Sequence, residues 1–318
     1  NYWSPDAITW LNDRDLLQLG LPLTPKQVAE IADGKERVYE TLGRAASLTL
    51  TGTSLRIVNL TGHKLISGYP EGRRMWLNTK WYDRKGVMVR EDGAYGSLTV
   101  QLDGVNVDVE TILNNDDPNT KIYEVHMGMT SIWARQLLSA GIPASLPLTY
   151  DRVSGDISLT LGELGDLPSG NSRETFHFVL NNKMISDNRI PPYGMRYDDS
   201  QDRNTLTVPV SQYGDPGPGG IYEYWDTFEL SPPVDAVYAT IDLLYQPTSW
   251  EYIQFLYLAN DMSNDFLKDT GKNNLDAWLN TGMAKPHAIA STSWGKYPKS
   301  IGPKGTNLPP ISGTKVKP

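Results

Sequence analysis

Short β-rich segments, each closed by a turn, constrain the fold of this chain more than any other feature. Predicted strands are residues 47–51, 55–59, 74–82, 87–91, 121–127, 156–161, 174–180, 205–210 and 236–245. With 28 glycines and 22 prolines in 318 residues, turns are frequent and βαβ units are not indicated. We therefore predict a mainly β protein whose body is an antiparallel β-sandwich.

Helices are predicted on both flanks of this body. Thr24-Pro25-Lys26-Gln27 has the spacing of a capping box, with proline at the first helical position. Thr248-Ser249-Trp250-Glu251 has the same spacing, and residues 273–281 form a second C-terminal helix. The predicted organisation is a helical segment at 1–46, a sandwich with an inserted helix (131–140) at 47–247, packed helices at 248–294, and an extended tail at 295–318.

Composition excludes several classes of protein. The formal charge of −8 argues against a nucleic-acid partner, because phosphates need a basic face. No apolar run approaches the ~20 residues of a transmembrane segment. Cysteine is absent, which excludes disulfides, thiolate metal sites and covalent haem attachment on this chain. Frequent turns and 17 tyrosines against 5 phenylalanines favour an exported protein, and a start at Asn1 instead of Met predicts a processed or partial product.

The stretch from Asn59 to Trp76 carries the densest set of functional residue types. It places His63, Glu71, Arg73 and Arg74 in a glycine- and proline-rich loop between two predicted strands. His63 is a candidate metal or haem ligand through a neutral imidazole nitrogen. A hydrogen-bonded structural histidine is the alternative, and both interpretations remain open from the pattern alone.

This stretch resembles a motif in the haem-free C-terminal β-rich region of certain bacterial multihaem c-type cytochromes. The matching residues are Asn59-Leu-Thr-Gly-His63-Lys-Leu-x-Ser-Gly68-Tyr-Pro-Glu-Gly-Arg73-Arg74-Met-Trp76. Three later stretches resemble the same group, in the same order: Asp187-Asn-Arg-Ile-Pro-Pro192, Ala239-Thr-Ile-Asp-Leu-Leu-Tyr-Gln246 with Ser249-Trp-Glu-Tyr-Ile253, and Asn280-Thr-Gly-Met283-Ala. The resemblance covers roughly residues 19–294.

The resemblance implies a β-sandwich that packs on a haem-bearing domain in periplasmic or extracellular electron-transfer proteins. It further implies that His63 is a distal haem ligand and that haem c belongs to a partner chain. Two features depart from the pattern. Ile66 stands where proline is expected, and no Cys-x-x-Cys-His precedes the motif. The haem-bearing part is therefore a separate chain, has been cleaved off, or has been lost.

The remaining candidate ligands are weaker. His126 and His287 have no second histidine within four residues, so neither forms a local metal-binding pair. Arg73, Arg74 and Arg189 are candidates for contact with a haem or its propionates, although structural roles are favoured. A calcium site is predicted from oxygen-bearing side chains at alternate positions, namely Asp198, Ser200, Asp202 and Asn204.

We predict from these observations a haem-free subunit, or cleaved half, of an exported multihaem cytochrome assembly. It would dock on the haem-bearing chain and shield the haems, with a higher assembly as an open possibility. The main alternative is an exported carbohydrate- or surface-binding sandwich. No catalytic signature singles out a reaction, so a non-enzymatic role is favoured over a metal-dependent enzyme.

Overall fold

The computed structural model describes residues 1–18, 21–65 and 68–296. The α-helices are α1 (Ser4–Asn12), α2 (Pro25–Leu42), α3 (Ser131–Ser139), α4 (Leu161–Asp166), α5 (Tyr197–Asp202), α6 (Trp250–Leu258) and α7 (Thr270–Asn280). The strands are β1 (Ala46–Thr51), β2 (Ser54–Asn59), β3 (Arg74–Tyr82), β4 (Met88–Asp92), β5 (Tyr95–Leu102), β6 (Val105–Ile112), β7 (Ile122–Tyr123), β8 (Val125–Thr130), β9 (Pro147–Tyr150), β10 (Ile157–Thr160), β11 (Ser172–Glu174), β12 (Lys183–Asp187), β13 (Trp225–Glu229), β14 (Tyr238–Gln246) and β15 (His287–Gly295). Strands make up 32% and helices 24%, which confirms a strand-rich protein with helices at its termini.

Two antiparallel sheets form the central sandwich. One has the strand order β15-β14-β3-β4, with β7 also pairing with β3, and the other has the order β1-β2-β13. Leu55 and Ile57 of β2 belong to the same core cluster as Leu77 and Trp81 of β3 and Ile241 of β14. Burying an aliphatic side chain of this size contributes about 1.5–3 kcal/mol. The shared core confirms the predicted sandwich.

The strand β3 is the centre of the larger sheet and the element that positions the candidate site. Its nine residues pair with β14 from Arg74↔Gln246 to Tyr82↔Tyr238. The loop that contains His63 enters β3 at Arg74, so it lies at the same end of the sheet as the start of α6, which follows β14.

Two further layers flank this end of the sandwich. The first layer consists of the sheet β11-β8-β12 and the hairpin β9–β10, all formed by residues that precede α6 in the chain. The β5–β6 hairpin shares a core cluster with α1, α6 and α7, in which Trp250 and Trp278 are fully buried. The terminal helices therefore pack on the strand-rich body, as predicted.

Several predicted elements are wrong in detail. Residues 174–180 are the end of β11 followed by a 3-10 turn (Phe178–Leu180), because their aromatic side chains turn towards α6 and the His63 loop. Residues 205–210 form only an isolated bridge at Val208, and Pro209 has no N–H for a ladder. The predicted helical segment 248–294 contains most of the strand β15, which pairs with β14. The tail from residue 297 onward lies outside the described residues.

The predicted starts of the helices agree with the structure more closely than the predicted ends do. At α2, the side chain of Thr24 accepts from the backbone N–H of Gln27, whose own side chain accepts from the backbone N–H of Thr24, so the capping box forms. The helix ends at Leu42, and Ala46, predicted as helical, opens β1. At α6 the capping side chain is that of Ser249, not Thr248.

Candidate functional site

The structure brings two of the motif segments together in the protein interior. Lys64 Nζ lies 2.7 Å from Oδ2 of Asp187, although 123 positions separate the residues. The neighbouring residue Leu65 donates its backbone N–H to the carbonyl of Ile190 at 2.8 Å. The side chains of Lys64 and Asp187 are only 8% and 0% exposed. The His63 loop is thus fastened to the Asp187–Pro192 segment by a buried ion pair and a strand-like bridge.

Arg189 completes this buried ion cluster. Its guanidinium donates from Nε and Nη2 to the two carboxylate oxygens of Asp187, each at 2.8 Å. Burial alone would raise the pKa of Asp187, but the charges of Arg189 and Lys64 outweigh burial and hold that pKa below its ordinary value. Burial lowers the pKa of the Lys64 ammonium group. The contact of Arg189 with Asp187 is the bidentate arrangement favoured for guanidinium and carboxylate.

A second network places His63 at the surface. Asn59 is buried and donates from Nδ2 to the carbonyl of His63 at 2.8 Å and to the carbonyl of Ile190 at 2.9 Å. The hydroxyl of Thr61 donates to the same His63 carbonyl at 2.9 Å. The backbone of His63 is therefore held, whereas its side chain is exposed. Within the part of the chain that is described, no group hydrogen-bonds the His63 ring.

The two adjacent arginines of the loop have different surroundings. Arg74 is buried and donates to Gln246 Oε1 at 2.9 Å and to Thr111 Oγ1 at 2.8 Å. Its third contact is an ion pair of 3.2 Å with Glu251 of α6. Arg73 is half-buried, and its guanidinium lies 5.3 Å from the ring centre of Tyr69. Arg74 therefore connects the loop to the β14–α6 motif segments inside the protein, while Arg73 lies nearer the surface.

His126 is held between two carboxylates. Its Nε2 lies 3.0 Å from Glu124 Oε1, and its Nδ1 lies 2.7 Å from Glu174 Oε2. Burial alone would lower the pKa of His126, but hydrogen bonds and charges from both glutamates raise it to about 10. The ring is therefore an imidazolium at neutral pH, and both of its N–H groups are committed. Such a cation is a poor metal ligand, since ligation needs a neutral imidazole nitrogen.

Glu71 is placed in the loop by the sequence, but its burial is not predicted there and it is not among the candidate ligands. It is 5% exposed, and its Oε1 is buried without a hydrogen-bond partner among the described residues. Burial raises the pKa of Glu71 to about 7, against a smaller lowering by the positive charge of His126. The one signal in the sequence is its position inside the Gly-Tyr-Pro-Glu-Gly stretch, and glutamate in a loop ordinarily faces solvent.

An exposed apolar surface adjoins His63. A Cβ atom at Gly68 would lie 3.7 Å from Cδ2 of His63, so the ring lies against this backbone. Next to it, the ring of Tyr69 lies 6.1 Å from that of Phe178. Tyr69, Phe178 and Val179 are 45%, 55% and 90% exposed. We refer to His63, Tyr69, Phe178 and Val179 as the exposed aromatic face.

A cleft of about 540 Å³ lies between β8, β9, β11 and α6. Leu148, Phe176 and Phe255 contribute to its apolar wall. Its polar end includes Arg152 and Glu251, which form an ion pair of 3.2 Å. A cavity of this size with an apolar wall and few polar groups is typical of a small-molecule site.

The two remaining histidines lie in aromatic surroundings. The ring of His287 lies 4.7 Å from that of Tyr39, and burial lowers its pKa. His177 is the residue before the 3-10 turn, and its Nε2 lies 2.8 Å from the carbonyl of Pro147. The structure therefore brings neither histidine to the exposed aromatic face.

The predicted calcium ligands lie in and just after the short helix α5. The carboxylate of Asp198 accepts from the backbone N–H of Gly219, and Ser200 Oγ donates to the carbonyl of Arg196. Asp202 ends the helix, and Asn204 follows it with a positive φ of 53°. Within residues 1–18, 21–65 and 68–296, no group of three or more histidine, aspartate or glutamate side chains is arranged to hold a metal ion. Calcium at this segment stays a prediction.

No helix in the described ranges has the length and apolar character needed to cross a membrane.

Comparison with known proteins gives one distant structural similarity. No family model and no curated protein matches the chain. Among solved structures, the chain is similar to a penta-heme cytochrome c552 from Thermochromatium tepidum, with a TM-score of 0.33 and 12% sequence identity. The match covers 80% of this chain and 40% of that cytochrome, so this chain spans less than half of the cytochrome's length.

Proposed function

We propose that this chain is the haem-free part of an exported multihaem c-type cytochrome assembly. The exposed aromatic face docks on the haem-bearing chain and shields a haem from water. His63 supplies an axial imidazole to one haem iron of that chain. In this role the chain tunes electron transfer through burial and ligation, without holding a haem covalently.

The observation that carries this proposal is an exposed imidazole on a fixed backbone beside exposed aromatic rings. Two donors hold the carbonyl of His63, so the position of its Cα is set by the buried Asn59 network. Axial ligation needs a ring that is reachable and free of competing hydrogen bonds, and His63 meets both conditions within the described residues. Contiguous exposed apolar side chains mark protein interaction sites.

The remaining charged residues of the motif support this proposal through the position of the loop. The loop is held to the Asp187–Pro192 segment by the ion pairs of Asp187 with Lys64 and Arg189. Where the loop enters β3, it is held by the hydrogen bond of Arg74 to Gln246. These side chains are committed to protein partners and leave His63 as the residue that reaches outward. Arg73, near Tyr69, is the arginine best placed to meet an acidic group of the partner.

The docking step is tested by native purification of the chain from the cells that produce it. We expect haem absorbance and a co-purifying chain that contains Cys-x-x-Cys-His sequences. Phe178→Ser is expected to reduce the amount of haem protein recovered. Val234→Ser is the matched control, since Val234 is also an exposed apolar residue but lies before β14, at the opposite end from Gln246. Recovery of the chain without haem, or equal loss with both variants, would contradict docking through this face.

The cleft favours a second function, binding of a small polar ligand such as a saccharide unit. Its wall combines the rings of Phe176 and Phe255 with a polar end at Arg152 and Glu251. A sugar hydroxyl can accept from a guanidinium and donate to a carboxylate. Binding on a glycan array that is lost in Phe176→Ala, with no haem protein in the preparation, would favour this function over docking.

A further inference from the structure

Glu71 is a buried acid with one unpaired carboxyl oxygen in the part of the chain that is described. It is 5% exposed, and its Oε1 has no hydrogen-bond partner among the described residues. A buried carboxylate oxygen that accepts no hydrogen bond destabilises the ionised form of the acid. The pKa of Glu71 therefore depends on its burial and on the charges of its neighbours.

The charged neighbour of Glu71 on β8 is already paired with two other carboxylates. From β8, the positive charge of His126 acts on Glu71, but Glu124 and Glu174 already accept from both ring nitrogens. These two carboxylates outnumber the single imidazolium, so the cluster already has an excess of negative charge. Ionisation of Glu71 would add to that excess.

The aromatic neighbours complete the surroundings of Glu71. From α6, the hydroxyl of Tyr252 lies within the electrostatic influence of Glu71 and shares a hydrogen bond with Tyr69. From the loop itself, Arg73 acts on Tyr252 and lies over the ring of Tyr69. Tyr252 is neutral at physiological pH, since burial raises its pKa further above 10.

The backbone of the loop is joined to α6 at Gly72, next to Glu71, whereas Tyr69 is joined to α6 through its side chain. The carbonyl of Gly72 accepts the backbone N–H of Ser249 at 2.8 Å, which joins this residue to the start of α6. Gly72 has a φ of +66°, and a Cβ atom there would overlap the ring of Tyr252. A response to the charge of Glu71 is expected in the backbone of Gly68 and Tyr69, because the Tyr69 hydroxyl is hydrogen-bonded to Tyr252, which Glu71 influences, and the ring of His63 lies against Gly68.

We propose that Glu71 is a proton-binding site whose ionisation shifts the Gly68–Tyr69 backbone and with it the surroundings of His63. The protonated acid lies buried under the loop. When the proton leaves, the carboxylate draws in water or moves outward, and the exposed aromatic face changes shape. This is a property of the chain by itself, so it holds or fails independently of the proposed haem-bearing partner.

The test follows the backbone amide shifts of Gly68 and Gly72 by nuclear magnetic resonance between pH 5 and 9. The His63→Gln background takes the imidazole of His63 out of the readout. We expect a step at Gly68 with a midpoint near 7, a smaller one at the tethered Gly72, and neither step after the addition of Glu71→Gln.

The carboxyl carbon shift of Glu71, measured in the His63→Gln background alone, gives an independent readout if the double variant fails to fold. The same midpoint at this carbon and at Gly68 would support the coupling. A flat Gly68 shift across the Glu71 titration, or a Gly68 step that survives Glu71→Gln, would overturn the proposal.

Discussion

Replacement of Asp187 by asparagine tests the anchor that holds the His63 loop. Asp187 is fully buried and accepts from Lys64 at 2.7 Å and from Arg189 at two positions of 2.8 Å. A neutral asparagine side chain at this position would remove the carboxylate charge that faces Lys64 and Arg189. Removing one partner of a buried ion pair costs about 3–5 kcal/mol. We expect Asp187→Asn to lower the free energy of unfolding by that amount at pH 7.

The pH dependence of this effect follows from the direction of the Asp187 pKa. That pKa is depressed in the folded protein, so the contribution is present at neutral pH and is lost as the pH falls through the depressed value. The difference in the free energy of unfolding between wild type and Asp187→Asn should therefore become smaller below about pH 4.

Urea unfolding followed by tryptophan fluorescence measures both effects. Asp156→Asn is the control, because Asp156 is exposed just after a turn. Its replacement should change the free energy of unfolding by no more than about 0.5 kcal/mol. In a double-mutant cycle, Lys64→Met added to Asp187→Asn should cost less than the sum of the single losses. A loss below about 1 kcal/mol for Asp187→Asn, or strict additivity with Lys64→Met, would refute the buried anchor.

Three further predictions concern the loop and its neighbours. The pKa of Glu71 is about 7 in the folded protein against 4.5 ordinarily, so wild type loses stability as the pH rises. In urea unfolding, the free energy of unfolding of Glu71→Gln should therefore rise by about 3 kcal/mol relative to wild type between pH 4 and pH 8. A difference between the two proteins that does not change with pH would contradict the raised pKa. Gly72→Ala should lower the free energy of unfolding by about 2 kcal/mol or more, because Gly72 has a positive φ and lies against Tyr252. A thermal midpoint equal to that of wild type would contradict this packing. His126→Asn should lose about 1–2 kcal/mol at pH 7 after allowance for solvent screening. That loss should disappear above pH 10, where the wild-type ring is neutral; a loss independent of pH would mean that packing, not charge, is responsible.

The central strand and the first capping box can be predicted because local signals and tertiary packing agree there. The strand predicted at residues 74–82 has the same bounds as β3 in the structure. Its aromatic and apolar residues suit a strand whatever it packs against. The Thr24–Gln27 box likewise depends only on residues three positions apart.

Elements decided by distant partners cannot be predicted in the same way. The strand β15 contains alanines and serines with weak alternation, and its pairing with β14 decides its conformation. Residues 174–180 have a strand-like aromatic alternation, but the rings pack on α6 and on Tyr69 instead. In both cases tertiary contacts outweigh the local pattern.

The candidate site shows the same division. His63 and the arginines can be chosen from the sequence, since their types and spacing mark a loop rich in functional groups. The partnership of Lys64 with Asp187 and the burial of Glu71 cannot, because both depend on segments far apart in the chain. A loop glutamate gives no local sign that it is buried without a hydrogen-bond partner.

The most direct test of the proposed function is the absorbance spectrum of the native assembly with His63→Ala. His287→Ala is the matched control, since His287 lies beside Tyr39 and away from the exposed aromatic face. We predict that His63→Ala changes the spectrum of one haem of the partner chain, while His287→Ala leaves every haem unchanged. An identical spectrum for wild type and His63→Ala would contradict axial ligation by His63.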